Sequence, residues 1–509
     1  MNPIELSLFT SRTQSICREM GAILQYSAFS PNIRDRLDFS CAIFDASGKL
    51  CAQAAHIPVH LGSMAYAMRD IVNRYSWQDG DVLILNDPYL GGTHLPDITL
   101  VAPVYCNGQL LAFAANRAHH ADIGASTPGS MPLSRSLQEE GILIPPGWLF
   151  KNHQQIDATI EPLLRQVHRP EITRADLSAQ LSAIRQGVAQ LRNLVLETGI
   201  SQYKALLTNL NEYAERLALT GIRTIPAGTY TYEDYMDDDG LGNTEIPIIA
   251  TIHIKNDQVT VDFAGTADQV QGNINCPLSV TAAAVYYCFY CLMPGQTPAC
   301  SGSFRPLRLL APAGSLVNAT APAAVAAGNV ETSTRIVDVV LGALAKAVPD
   351  RIPAASHGSM NNIAMGTSSW DYYETLGGGM GAGPAGHGLH AVQTHMTNTL
   401  NTPIEILEMY YPLRIRQYRI RHHSGGTGRQ RGGDGMIREY EFLDDCTVTL
   451  LSERRKHAPW GLQGGNPGKA GSNMLNQRAL PGKFTLHAKA GDILKIETAG
   501  GGGWGASPQ

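Results

Sequence analysis

Apolar positions fall at helical spacing first. Across residues 3 to 29, Ile16, Met20, Ile23 and Leu24 share one face, and Ser30-Pro31 stops the run. The pattern then turns to strands: Ser40 to Phe44 and Lys49 to Gln53 are joined by the Asp45-Ala46-Ser47-Gly48 turn, and a helix is expected from Met64 to Tyr75. Ile98 to Tyr105 and Leu110 to Ala115 are apolar, β-rich runs around Asn107-Gly108, a strong hairpin signal. Residues 170 to 219 return to helical spacing. One stripe runs through Leu177, Leu181, Ile184, Val188 and Leu191, Gly199 breaks it, and a second runs through Leu206, Leu207, Leu210, Tyr213 and Leu217. This predicts an antiparallel helical hairpin. From Ile225 the segments TYTYEDYMDDDG, IPIIATIHI and QVTVDFAG read as a β-meander. Helices near 279 to 293 and 331 to 347 follow, and the first could pack against that sheet. The last third is dense in glycine, with strand-like REYEF and TVTLL between the glycines, so a mainly β region with close backbone approach is expected.

These elements predict a mixed α+β fold of several domains. Residues 1–165 form a β-hairpin-rich N-terminal region, 166–222 the helical hairpin, 223–350 an α+β unit and 351–509 a glycine-rich, mainly β unit. A chain of 509 residues is long enough for two or three such cores. Charged residues make up 16% and the formal net charge is only -5, so no basic footprint points to nucleic acid and no acidic run points to a disordered tail. Asp237-Asp238-Asp239, before a glycine, reads as a solvated turn. No apolar run is long enough to span a bilayer, and MNPIELSLFT lacks a signal core, so a cytoplasmic protein is expected. Nine scattered cysteines do not make a secreted disulfide framework, and Cys288-x-x-Cys291 sits in an apolar run that reads as core.

Candidate chemistry concentrates around the predicted hairpin. His94-x-x-Asp97 precedes its first strand and His119-His120-Ala121-Asp122 follows its second, and these two ends of a hairpin lie side by side. Gly91-Gly92 and Pro96 keep the first cluster out of a helix. A lone loop histidine ordinarily caps a turn or faces water, but groups converging from two loops suit a divalent ion. Imidazole plus carboxylate favours zinc, manganese or iron. His56 and His60 lie nearby in HIPVHLGSM, and Asp38 sits at a strand entry where a turn cap is the ordinary role. The Gly-, Pro- and Ser-rich stretch from Gly124 to Gly147 could wall a pocket or simply connect. Two nucleotide-like patterns fail: Gly381-x-Gly383-x-x-Gly386 contains Pro384 and opens no helix. Around Gly468-Lys469, Gln463 and Ala470 replace the first glycine and the magnesium-binding hydroxyl of a phosphate loop.

Taken in order, RLDFSCAIFD, PVHLGSM, NDPYLGGTHLPDITLVAPV, RAHHADIG, TPGSMP, GNVETSTRIVDVVLGAL, YYETLGGG, THMTNTLNTPIE, YPLRI, GGTGRQRGGDG, PWGLQGG and TAGGGGWG resemble the hydantoinase/oxoprolinase family, in its hydantoinase B branch. The resemblance implies a chain that works with an A-type, actin-like ATPase. That partner, not this chain, binds ATP and phosphorylates the carbonyl oxygen of a small cyclic amide, and the B chain completes hydrolysis at a metal site. Relatives open N-methylhydantoin, 5-oxoproline or caprolactam, and acetone and acetophenone carboxylases use related chains for carbon–carbon bond formation. A third possibility is a subunit that binds the ATPase and does no chemistry. The family's ligands fall on Asp38, His94, Asp97 and His119, with His119 chosen over its neighbour His120. His120 and Asp122 are then candidates for orienting a ligand or moving a proton, with His60 a third candidate in the same pocket. The implied ion is divalent, zinc before manganese or iron, and the implied assembly is a hetero-oligomer with two copies of each chain.

Overall fold

The expected hairpin lies in the middle of a seven-stranded sheet. The computed structural model describes residues 3–54 and 57–507, and His56 lies outside them. The first region contains α1 (Pro3–Ser27), α2 (Pro31–Arg34), β1 (Phe39–Asp45), β2 (Leu50–Ala54), α3 (Pro58–Arg74), β3 (Val82–Leu85), β4 (Asp97–Cys106), β5 (Gln109–His119), β6 (Gly147–Lys151) and β7 (Gln154–Gln155). Their order across the sheet is β2-β1-β5-β4-β3-β6-β7. Asn107 and Gly108 both take positive φ (51° and 74°), the geometry a two-residue hairpin turn needs. The β4 and β5 runs are apolar almost throughout because both faces are covered. Ile98, Leu100 and Ala102 pack with α1 and the later α5 (Pro170–Thr198), while Val101, Phe113 and Ala115 pack with Met64, Met68 and Ile71 of α3. Helix α3 starts at Pro58, ahead of the expected Met64. Proline is tolerated in a first turn, whose N–H groups have no helical partner.

Two expectations about helices need correction. After the short α4 (Glu161–Leu164), α5 and α6 (Ile200–Ile222) do break at Gly199, but they share few contacts. Helix α5 lies along α1 and the β4–β5 hairpin, and its apolar stripe, like that of α6, joins the core of the first region. In the next region β8 (Gly228–Asp238), β9 (Thr244–Lys255) and β10 (Gln258–Asp262) form the expected meander, extended by a parallel strand that follows α7 (Leu278–Tyr290) and α8 (Ser301–Phe304), β11 (Leu307–Leu310). That sheet is covered by α9 (Ser333–Ala347) rather than by α7, which sits between α3 and α9. Nor is the Asp237–Asp239 run a solvated turn. Asp237 and Asp239 are buried, and Asp237 accepts backbone N–H groups of Arg455, Lys456 and His457 at 2.6, 3.1 and 3.0 Å.

The last region holds β12 (Asn362–Gly366), β13 (Asp371–Glu374), α10 (Ile404–Tyr410), β14 (Leu413–Arg421), β15 (Gly435–Phe442), β16 (Cys446–Leu451), β17 (Ser472–Leu475), β18 (Arg478–Leu480), β19 (Lys483–Ala488) and β20 (Ile493–Glu497). Two sheets, β13-β12-β16-β19 and β14-β15-β20-β17-β18, share one apolar core that includes Ile363, Val448, Tyr440 and Ile496. Beside them the glycine runs pack backbone on backbone: a Cβ on Gly501 would lie 2.2 Å from the carbonyl oxygen of Met380. Among the described residues no helix is long and apolar enough to cross a membrane.

Candidate metal centre

The register of the hairpin creates the site. Asp97 opens β4, His119 closes β5, and the two are direct partners in the ladder, so their side chains leave the same face. Strand β1 runs beside β5, which places Asp38 next to His119, whose N–H donates to the Asp38 carbonyl at 3.0 Å. His94 comes from the preceding loop. Its carbonyl accepts the Asp97 N–H at 3.1 Å, and the Asn86 amide holds the loop by donating to the carbonyls of Leu95 (2.8 Å) and Ile142 (2.9 Å). Gly91, at φ 97°, brings that loop against α3, where a Cβ would lie 1.9 Å from the Ala67 methyl.

His94, Asp97 and His119 form the one group of three or more such donors among the described residues whose ligand atoms converge, all within 4.8 Å of one another. Asp97 Oδ1 lies 3.3 Å from His94 Nε2 and 3.3 Å from His119 Nδ1. Its other oxygen, Oδ2, is occupied: Thr93 Oγ1 donates to it, and His60 Nε2 is 3.1 Å away. The second His60 nitrogen, Nδ1, sits 3.3 Å from Ser40 Oγ, so the imidazole bridges β1 and the carboxylate. Asp38 Oδ2 stands 4.0 Å from His119 Nδ1 and 4.0 Å from Arg36. His119 stacks on Tyr373 (4.8 Å between rings, 8° between planes), with the Arg36 guanidinium 4.7 Å from the centre of the tyrosine ring.

Burial sets the electrostatics. It pushes Asp97 up, but the charges of His94 and His60 and the imidazole contacts overcome it and hold the carboxyl well below its usual range. For His94, burial lowers the pKa, and the Asp97 charge and contact together with the charges of Asp38 and Glu140 more than restore it, whereas burial leaves His119 below the ordinary imidazole value. Both nitrogens of His94, Oδ1 of Asp97 and Nε2 of His119 are buried with no hydrogen-bond partner. Unsatisfied buried polar atoms are rare, and here they are clustered and of ligating type. Two imidazoles and a carboxylate, with a second carboxylate beside them, fit a divalent zinc, manganese or iron ion. The cavity they share measures about 20 Å³, room for an ion and little beyond one water.

Of the residues singled out in the sequence, Asp38, His60, His94, Asp97 and His119 line this cavity. His120 and Asp122 do not. One residue beyond His119 the side chain leaves the other face, and His120 Nε2 meets Gln180 Oε1 of α5 at 2.9 Å. Asp122 caps a turn, accepting from Gly124 N (2.8 Å) and His168 N (2.6 Å). Gly381 to Gly386 and Gly468-Lys469 lie in segments with no helix opening directly after them. The sequence reading also left Thr93, Tyr373, Asn329, Thr397 and Thr399 without roles. All but Thr93 line the cavity from more than 200 residues downstream of the hairpin, and only the motif strings GNVETST, YYETLGGG and THMTNTLNT marked their neighbourhoods.

Residues 2–507 match the family model described as Hydantoinase B/oxoprolinase. An uncharacterised protein of Methanocaldococcus jannaschii is 40% identical over 99% of this chain and 91% of its own length. 5-Oxoprolinase 1 of Arabidopsis thaliana is 39% identical over 99% of this chain, which spans only 42% of that relative. The crystal structure of the ATP-dependent caprolactamase from Pseudomonas jessenii superposes with a TM-score of 0.93 at 27% identity, covering 99% of this chain and 91% of that one.

Proposed function

Because the chain belongs to the hydantoinase B/oxoprolinase family, we propose that it is the metal-bearing B-type subunit of an ATP-dependent cyclic-amide hydrolase. In this reading an A-type ATPase partner phosphorylates the carbonyl oxygen of the ring amide, and this chain completes the hydrolysis, in an assembly with two copies of each. The observation that carries the reading is the convergence of ligating atoms from His94, Asp97 and His119 on one buried point, where His94 Nε2 and Asp97 Oδ1 have no hydrogen-bond partner. ATP is assigned to the partner for two reasons. The glycine patterns of this chain lack the helix that cradles phosphate, and more than half of the Arabidopsis 5-oxoprolinase lies outside the match, room in that relative for a second activity.

The residues divide the work as follows. Asp38, His94, Asp97 and His119 hold the ion, and the two carboxylates offset its charge. Thr93 and His60 occupy Asp97 Oδ2 and so leave Oδ1 turned to the imidazoles. Tyr373 fixes the plane of His119. A divalent ion at this point supplies Lewis acidity and makes water easier to deprotonate near neutral pH. Phosphorylation removes the nitrogen donation that protects an amide. Water adds at the activated carbon and the ring C–N bond breaks, leaving an open-chain acyl phosphate whose freed nitrogen takes up the proton; a second water then cleaves the acyl phosphate to the open-chain acid and phosphate.

The test is elemental analysis and a substrate screen on this chain co-purified with an A-type partner. One divalent ion per chain and ATP-dependent opening of 5-oxoproline, a hydantoin or caprolactam are expected. A metal-free active complex would overturn the reading, and bicarbonate-dependent consumption of a ketone would replace it with a carboxylase.

A further inference from the structure

Asn329 lies in the wall of the same cavity, and its local structure is unusual. Residues Gly328–Thr332 form a single π-turn at the entrance to α9, an arrangement that recurs at functional sites. The turn is clamped from outside. Gly328 N–H donates to the Asn273 carbonyl at 3.0 Å, and a Cβ on Gly328 would lie 1.8 Å from the Asn275 carbonyl oxygen. The Asn329 backbone is satisfied on both sides, N–H to Val325 O at 3.3 Å and C=O from Ser333 Oγ at 2.6 Å. Its side chain is not: Asn329 is 3% exposed and Oδ1 has no partner.

The other polar groups of the wall are spoken for. Thr375 and Thr399 pair at 2.6 Å, Thr397 sits 3.4 Å from Thr399, and Tyr373 donates to Asn362 at 2.8 Å. The acids and imidazoles belong to the ion site. A carboxamide with a free acceptor is thus held in the wall of the cavity that His94, Asp97 and His119 line.

We infer that Asn329 recognises the N–H edge of the ring amide, an inference that rests on the cyclic-amide reading above. A peptide bond is trans and puts its N–H and C=O on opposite sides, but a small ring forces the amide cis, with both on one edge. A primary carboxamide carries the complementary pair, an acceptor oxygen and an N–H donor on one edge. Oδ1 accepts the ring N–H and Nδ2 donates to the ring oxygen. Phosphoryl transfer to the oxygen of the neutral amide leaves the N–H in place on a C=N⁺ nitrogen, so Oδ1 accepts the same proton before and after the partner's step. The cavity of about 20 Å³ has to widen to admit the ring. The wall that yields is the one carrying Thr397 and Thr399, which comes from a stretch without helix or strand.

The experiment compares wild type, Asn329→Leu and Asn329→Ala, each co-purified with the ATPase partner, on 5-oxoproline and caprolactam and on their ring N-methyl forms. Metal content is expected to be unchanged and the melting temperature of Asn329→Leu unchanged or higher, because an unpaired buried amide is replaced by a hydrocarbon of similar size. KM for the N–H rings should rise at least about tenfold, and the preference for N–H over N-methyl rings should disappear. Retention of both KM and that preference in both variants, with ring opening intact, overturns the role of Asn329. A wild-type complex that carries no metal and opens no ring instead overturns the hydrolase reading, and this inference with it.

Discussion

Among the clusters of charged side chains buried in the described residues, two are completed in opposite ways. In one, Arg335 and Asp338 of α9, Asp234 of β8, Glu453, Arg454 and Lys483 interlock. Asp234 lies between Arg335 (3.3 Å) and Arg454 (2.9 Å), Asp338 meets Arg454, and Glu453 lies between Arg335 (3.1 Å) and Lys483. Each carboxylate has its cation, and Asp234 is held down at about 2 by those arginines against the opposing effect of burial. In the other, Asp97 Oδ1 faces two imidazoles at 3.3 Å and no fixed cation. Buried charge is tolerated when it is paired. The first cluster is therefore complete as protein, whereas in the second no arginine or lysine meets Asp97 and ligating atoms of three residues converge on one buried point.

The largest effect should follow from breaking the complete cluster. Arg454→Ala strands Asp338 in the interior and leaves Asp234 with Arg335 alone, and loss of one partner of a buried pair costs about 3–5 kcal/mol. Denaturant melts should show this loss, with metal affinity in the folded fraction unchanged. Asp97→Ala should do the reverse. Removing the central ligand should weaken metal binding by at least about a hundredfold, since even outer partners of a metal site are worth 10–100-fold. Chelation should lower the melting temperature of wild type, through the lost binding free energy, and leave Asp97→Ala where it was. If chelation shifts both proteins equally, the two clusters do not differ in the way described.

What could be read from the chain follows the same division. The Asn107-Gly108 turn and the apolar runs around it determine a hairpin locally, and the hairpin brings Asp97 opposite His119. The ladder also decides between the neighbouring histidines, because only the residue in register with Asp97 leaves the strand on its side, and His120 turns to Gln180. No local signal pairs the hairpin with Tyr373 or Asn329. The acidic run looked solvated because its partners, Arg455 to His457 and Lys483, lie more than two hundred residues downstream. Similarly, α7 and α9 are both apolar enough to cover a sheet, and only the packing of α7 on α3 decides which one does.

His60 sharpens the comparison on the imidazole side. Its Nε2 contacts Asp97 Oδ2, not the oxygen that faces the other imidazoles. On the proposed reading it positions Asp97, and His60→Ala should weaken metal binding about 10–100-fold without removing a ligand. A cobalt-substituted His60→Ala protein should keep the ligand set of wild type and show a broadened, shifted visible spectrum. Loss of the spectrum altogether would make His60 itself a ligand.

The smallest effect tests where the two clusters touch. Glu331 Oε1 accepts Met360 N–H at 2.9 Å and the Asn362 amide at 2.8 Å, and Asn362 in turn accepts the hydroxyl of Tyr373, the ring stacked on His119. Burial first, and the charge of Glu453 second, push Glu331 up to about 8 from an ordinary 4.5. The folded chain therefore keeps this proton over a range in which the unfolded chain has lost it. The stability this group contributes is full below about 4.5 and falls as pH rises toward about 8, by about 1.4 kcal/mol for each pH unit. Glu331→Gln supplies a neutral side chain of the same shape at every pH. Urea melts at pH 6 and pH 7 should show wild type losing about 1.4 kcal/mol more than the variant across that step. Equal slopes would mean that Glu331 is ionised in the folded chain and that the paired cluster, through Lys483 and Arg335, reaches further toward the metal cavity than its ion pairs indicate.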